Sequence, residues 1–299
     1  MALPQQIQIR SIQQSLSIAI LGVLGLLYAP LLLHWLDGWL NKSISIEHEY
    51  FSHGIIGLPF AAYLSWLSRK QWQRLPDSTH PVGAFLLLIG GVFYLSGITD
   101  WVNLSLPIIL AGLCLWFKGV AGLRLQGFPM VLVFLATPTF VPYLLVPYTL
   151  PLQSFIAGTA GFILNQIGMQ VTVDEINIYV SGRIVEVAPY CAGLKMLFTT
   201  LYVSLMLLYW TGALVSRRIS AWFICMAVVI SVTANIIRNT LLSYFHGTGN
   251  EAAFKWLHDS WGGDLYSACM LLLLVPLLNW MQSNFLAEPA TVEAVDEQN

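Results

Sequence analysis

The sequence predicts an all-α polytopic membrane protein of about eight transmembrane helices. Both termini are expected in the cytoplasm, with a small extracytoplasmic β-hairpin segment near 171–189. Three observations predict this. Of the 299 residues, 57% are hydrophobic and only 9% charged, with a mean hydropathy of +0.71; soluble domains carry roughly a quarter charged residues. The apolar residues gather into runs near the roughly 20 residues that cross a hydrocarbon core. Lysine and arginine fall on alternate loops between those runs, which orients them.

The first apolar stretch, about 15–36, is longer than a signal-peptide core. Pro30 interrupts its only Ala-x-Ala-like neighbourhood, so it reads as the first membrane helix after a cytoplasmic segment 1–14. Further spans are predicted at about 53–68, 83–99, 104–119, 128–148, 191–211, 219–243 and 265–284, making 15–284 one membrane domain. The stretch 150–167, bracketed by Pro147 and Pro151 and containing Asn165, could be a ninth span, a re-entrant piece or an interfacial helix. The acidic tail 285–299 reads as a cytoplasmic end without a domain of its own.

Arg10 precedes the first span, Arg69, Lys70 and Arg74 follow the second, Lys118 and Arg124 the fourth, and Arg217 and Arg218 the sixth. Eight crossings satisfy all four clusters. A ninth at 150–167 would put Arg217 and Arg218 outside, so that segment is kept on the outer side. Between it and the sixth span, Val171-Thr172-Val173, Ile176 to Val180 and Arg183 to Val187 alternate with period two around Ser181-Gly182, the pattern of a β-hairpin.

A net charge of −2 and a pI near 6.3 offer no basic surface for nucleic acid. Of four cysteines, Cys114, Cys225 and Cys269 lie inside apolar runs, where a thiol behaves as a small hydrophobe. Cys191 differs. It stands in Val187-Ala188-Pro189-Tyr190-Cys191-Ala192-Gly193-Leu194-Lys195, where extended polar sequence turns into a span. A helix start with Lys195 one turn on would favour the thiolate; the bland alternative is an inert interfacial thiol.

Arg238 lies near the outer end of the seventh span, with Asn235 and Asn239 at helical spacing on the same face. A charge in such a run is functional by default, able to stabilise an oxyanion, unless it snorkels to the headgroups. His258, in the outer loop before the eighth span, could carry the proton of a nucleophile, with His246 its nearest competitor. Arg183, Glu186 and His53 are expected to support rather than react. His34, His48 and His53 with Glu47 and Glu49 lack the spacing of a zinc hydrolase, so neither a metal nor another cofactor is expected.

At these residues the chain resembles the exosortase/archaeosortase family. The resemblance runs through Cys191-Ala192-Gly193-Leu194-Lys195, Asn235-Ile236-Ile237-Arg238, His258 with Gly262, and Ser52-His53-Gly54, in family order over about 45–280. Ala192 stands where a serine is common and Lys195 where an arginine is usual. The Pro-Tyr-Cys-Ala-Gly variant and the lack of an added soluble domain resemble the cyanobacterial (cyanoexosortase) subgroup. The resemblance implies a transpeptidase-like cysteine protease of the bacterial plasma membrane, its site on the extracytoplasmic face. Its partners would be exported proteins ending in a Pro-Glu-Pro-type (PEP-CTERM) sorting signal, and the lipid bilayer around it. Cys191 would form a thioester, Arg238 would stabilise the oxyanion and His258 would shuttle protons. The acyl group would pass to water or to an envelope or polysaccharide acceptor. Rival readings are a polysaccharide-export transporter or scaffold, and a membrane acyltransferase using the same thiol.

Overall fold

The computed structural model describes residues 3–40, 50–187, 193–258 and 260–285. They are mostly helical, in two compact units, 1–139 and 140–299. Among the described residues, four helical stretches are long and apolar enough to cross a membrane: Gly22–Leu40, Thr99–Leu125, Arg217–Gly247 and Trp261–Asn284. The pair Gly127–Ala136 and Val141–Tyr148 makes a fifth if counted as one span. Large side chains such as Leu26, Leu33, Leu88 and Leu95 are exposed, as suits a surface whose solvent is lipid. The chain is a multi-pass membrane protein.

The first unit holds α1 (Leu3–Leu40), α2 (Gly54–Leu67), α3 (Arg69–Arg74), α4 (Pro81–Leu95), α5 (Thr99–Leu125) and α6 (Gly127–Ala136). Helices α4 and α5 pack through glycines. A Cβ on Gly83 would lie 2.7 Å from the Trp116 backbone nitrogen, and one on Gly112 would lie 3.1 Å from Leu87. Small residues let membrane helices approach closely where no hydrophobic effect drives them together. Polar bonds tie α1 to this pair: Tyr28 Oη and Ser105 Oγ are 2.6 Å apart, and Trp35 Nε1 donates to Asn103 Oδ1 at 2.8 Å. Lys118, expected just beyond a span, sits inside α5, where it pairs with Asp77 at 2.6 Å and donates to the Leu75 carbonyl at 2.8 Å. The helix continues past it through a kink at Gly119, whose φ of 59° suits glycine alone.

The expected span 128–148 is not one helix. It breaks after α6, because Pro138 holds Thr137 extended (φ −73°, ψ 118°) and cannot donate to a continuing helix.

The second unit continues with α7 (Val141–Leu145), a 3₁₀ turn (Val146–Tyr148) and α8 (Leu150–Gln166). Strands β1 (Val171–Asp174), β2 (Asn177–Val180) and β3 (Arg183–Glu186) follow, then α9 (Leu194–Trp210), α10 (Arg217–Gly247), α11 (Glu251–His258), α12 (Trp261–Leu272) and α13 (Leu274–Phe285). The last predicted span is interrupted between α12 and α13, where Pro276 removes a donor from the first turn of α13.

The expected hairpin is a three-stranded antiparallel meander, β1-β2-β3, pairing Val171 with Val180 and Val180 with Arg183. Ser181 and Gly182 both have positive φ (49° and 77°), as a two-residue type I′ turn requires. A second tight turn at Glu175-Ile176 accounts for the extra strand. The period-two apolar residues Ile178, Val180, Val185 and Val187, with Val171, pack on Ile156, Ala157, Ala160 and Leu164 of α8. That explains the ambiguous segment 150–167: its apolar stripe is the floor of the sheet. Asn165 exchanges two bonds with Val171, donating to its carbonyl at 3.1 Å and accepting from its N–H at 3.2 Å.

Candidate active site

Strand β3 leads the chain toward the cysteine and α9 carries it away. Cys191 and its neighbours 188–192 lie outside the described residues, as do Lys42, Glu47, His48, Glu49 and Asp259. Both sides of the segment are described and anchored. Val187, fully buried, donates its N–H to the Ile176 carbonyl at 2.9 Å and accepts from Gln153 Nε2 at 2.9 Å. Gly193 has φ +81°, and a Cβ there would lie 2.6 Å from Asn235 Nδ2. The chain immediately after Cys191 is thus pressed on the asparagine of α10.

Helix α9 begins at Leu194, with the left-handed Gly193 ahead of it; the expected one-turn pairing of Cys191 with Lys195 lies partly outside the described residues.

Helix α10 buries one stripe: Ile219, Phe223, Ala227, Ser231, Asn235, Asn239, Leu242 and Ser243. Its first half is apolar and packs with Leu208 of α9 and Leu274 and Leu278 of α13. Its second half turns polar, burying Ser231, Asn235, Asn239 and Ser243. Asn239 Nδ2 donates to the Asn235 carbonyl at 2.9 Å and to Asn235 Oδ1 at 3.2 Å. With Oδ1 accepting there, the Asn235 amide points its own N–H₂ away, and Nδ2 is buried without a partner among the described residues. Arg238 Nε is likewise buried without a partner among them. A buried donor left unpaired costs about 1–3 kcal/mol, so two such donors one helical turn apart on α10, one of them against Gly193, are what a site awaiting an acceptor oxygen would contain.

The Arg238 guanidinium reaches the junction of α11 and α12: a Cβ on Gly263 would lie 3.6 Å from Nη2 and 2.8 Å from the Leu257 carbonyl. Gly262 is equally constrained, its Cβ falling 2.6 Å from Trp256. The glycines after His258 let α12 start directly against α11. Nearby, Tyr266 Oη donates to the Ala234 carbonyl at 2.6 Å, fixing α12 to α10.

His258 stacks on Phe254 with ring centroids 5.2 Å apart and planes 8° from parallel, and Phe254 contacts His246 at 5.0 Å. His258, Asn239, Glu186 and His246 line one cleft of about 190 Å³ with Ile184, Val185, Leu242 and Phe254. Arg183 bonds Glu251 and donates to the His246 carbonyl at 3.1 Å, tying the β2–β3 turn to the α10–α11 junction. His53 belongs to the first unit, buried, with Nε2 3.0 Å from the Leu135 carbonyl. Lys195, in the first turn of α9, is half-buried. Among the described residues no group of three or more His, Cys, Asp or Glu is placed to hold a metal ion.

Sequence reasoning missed Gln153, Phe254, Glu251 and Tyr266. Only Gln153 carried a signal, a polar side chain in an apolar stretch. Glu251 and Tyr266 make their contacts with elements distant in the chain, and Phe254 stacks on His258 within one helix.

No curated protein and no solved structure matches the chain. A family model described as transmembrane exosortase matches residues 39–275, which include the second half of α10, the α11–α12 junction, the meander and Cys191. By that match over most of its length, the chain belongs to the transmembrane exosortase family.

Proposed function

We propose that this protein is a membrane cysteine transpeptidase that removes C-terminal sorting signals from exported proteins, with Cys191 as nucleophile. One observation carries the reading. Two buried donors, Asn235 Nδ2 and Arg238 Nε, have no partner among the described residues, and Asn235 abuts Gly193, two residues after Cys191. Two residues of chain reach at most about 7 Å, which supports a carbonyl bonded to the Cys191 sulfur meeting the Asn235 amide.

The thiol proton passes to His258, and the thiolate attacks the carbonyl beside the sorting motif. Negative charge grows on the carbonyl oxygen, where Asn235 and Arg238 donate to it; donors already in place need no reorganisation as it forms. Collapse breaks the peptide bond, His258 returns the proton to the leaving amine, and the acyl group stays on Cys191 as a thioester. A second nucleophile resolves it. Phe254, stacked on His258, holds the imidazole plane, and Glu186 and Arg183 shape the meander beside it. His53 and Lys195 act as supports. No metal or cofactor is required.

In this reading the chain crosses the membrane eight times, with both termini cytoplasmic and the site on the outer face of the plasma membrane. The substrate presents a short Pro-Glu-Pro-type motif, a membrane helix and a basic tail. The short helices α2, α4 and α9 complete the count, with the bilayer thinning locally to meet them.

The test is co-expression with a reporter ending in such a signal. Wild type, Cys191→Ala and Cys191→Ser are compared by reporter size. Tail loss in wild type alone, with a thioester trapped on Cys191, is expected. Equal processing in all three would remove the cysteine mechanism.

A further inference from the structure

The cleft beside His258 has no task in the first half of that reaction. It is walled by Ile184, Val185, Leu242 and Phe254, and four polar side chains converge on it: Glu186, Asn239, His246 and His258. At about 190 Å³ it has room for a small group rather than a folded peptide. Its charge is specific. The Arg183 guanidinium on its rim is matched by Glu251, and Glu186 forms no ion pair among the described residues. The carboxylate of Glu186 therefore presents uncompensated negative charge, which repels an acidic sorting motif and attracts a cation. Arg238, which suits an anion, does not line this cleft.

From this we infer that the cleft is the acceptor subsite, and that it takes a short primary ammonium group, held by Glu186 and deprotonated by His258. The inference rests on the acyl-enzyme reading above and names the second nucleophile. The bound ammonium gives one proton to His258, and its nitrogen forms a bond to the acyl carbon of the Cys191 thioester. The C–S bond breaks, His258 returns its proton to the sulfur, and a second N–H proton leaves to solvent. The products are an amide, the free thiol and one proton. Asn239 lies between the two halves of the site, lining the cleft and bonded to Asn235.

The experiment uses the full-length protein in detergent or vesicles, the sorting-signal reporter and n-propylamine as acceptor. It reads the ratio of amide to free acid at the new C-terminus. That ratio is set after the acyl-enzyme forms, so an unfolded fraction of a variant does not alter it. The amide is expected to dominate for wild type. Glu186→Gln should lower the ratio about tenfold, the size of one hydrogen bond to a charged group. Ile184→Trp, an exposed strand position, should lower it by filling the cleft mouth. Ratios unchanged by both substitutions overturn the assignment, while tail release still continuing would leave the acyl-enzyme reading standing. No tail release by wild type at all would overturn both.

Discussion

Replacing Gly193 by alanine should cripple processing while leaving the protein folded. Gly193 has φ +81°, a conformation that costs an L-residue about 1–2 kcal/mol. The new Cβ would lie 2.6 Å from Asn235 Nδ2 and 2.7 Å from its Cγ. Restoring an ordinary contact of 3.4 Å requires Asn235 to retreat by roughly 0.8 Å. That retreat pulls on the two bonds from Asn239 and takes Nδ2 from the place proposed for it beside the reacting carbonyl. A misplacement of about 1 Å can cost a hundredfold in rate, so tail release should slow by about that factor. Gly212→Ala and Gly168→Ala are the controls, because both glycines have positive φ (72° and 86°) and neither would meet an atom within 4 Å. They share the backbone cost without the clash. Initial rates of reporter shortening, with a detergent melting curve for each variant, separate the two effects. If Gly193→Ala slows the reaction no more than Gly212→Ala, the close approach to Asn235 has no catalytic meaning and the oxyanion argument fails.

Asn235→Ala removes one proposed oxyanion donor and should lower the rate of tail release about 10²- to 10³-fold, measured as a first-order loss of precursor. Gln153→Leu leaves the buried Val187 carbonyl without its donor. It should destabilise the protein by about 1–3 kcal/mol and loosen one anchor of the segment before Cys191; a melting curve indistinguishable from wild type would remove Gln153 from that role. His258→Ala should abolish processing and His53→Gln should not, since His53 contacts the Leu135 carbonyl in the first unit; equal loss in reporter assays would contradict this division. Asp77→Asn weakens the partner of the buried Lys118. Asp77 is itself exposed, so the expected loss is only about 1 kcal/mol, read as a small drop in melting temperature with processing intact.

Membrane residence could be read without a structure because composition alone settles it: a chain with so few charges cannot present a water-soluble surface. Helix positions followed from run length, and the alternation of Val and Ile with the polar residues between them gave the strands. The Asn235–Arg238–Asn239 stripe was visible as helical spacing, and α10 carries Asn235 and Asn239 on its buried stripe. Where each helix would break depended on proline acting on backbone hydrogen bonds, so Pro138 and Pro276 interrupted runs that hydropathy reads as continuous. The start of α9 was legible only approximately, because Gly193 takes a left-handed conformation that packing against Asn235 selects and local propensity does not announce. Tertiary structure alone decided which polar atoms lack partners, that α8 floors the meander, and that Glu186, Asn239, His246 and His258 share a cleft. Periodicity reports which face of an element is apolar; it carries no information about which distant element that face will meet, and a cleft assembled from β3, α10 and α11 exists only after they meet.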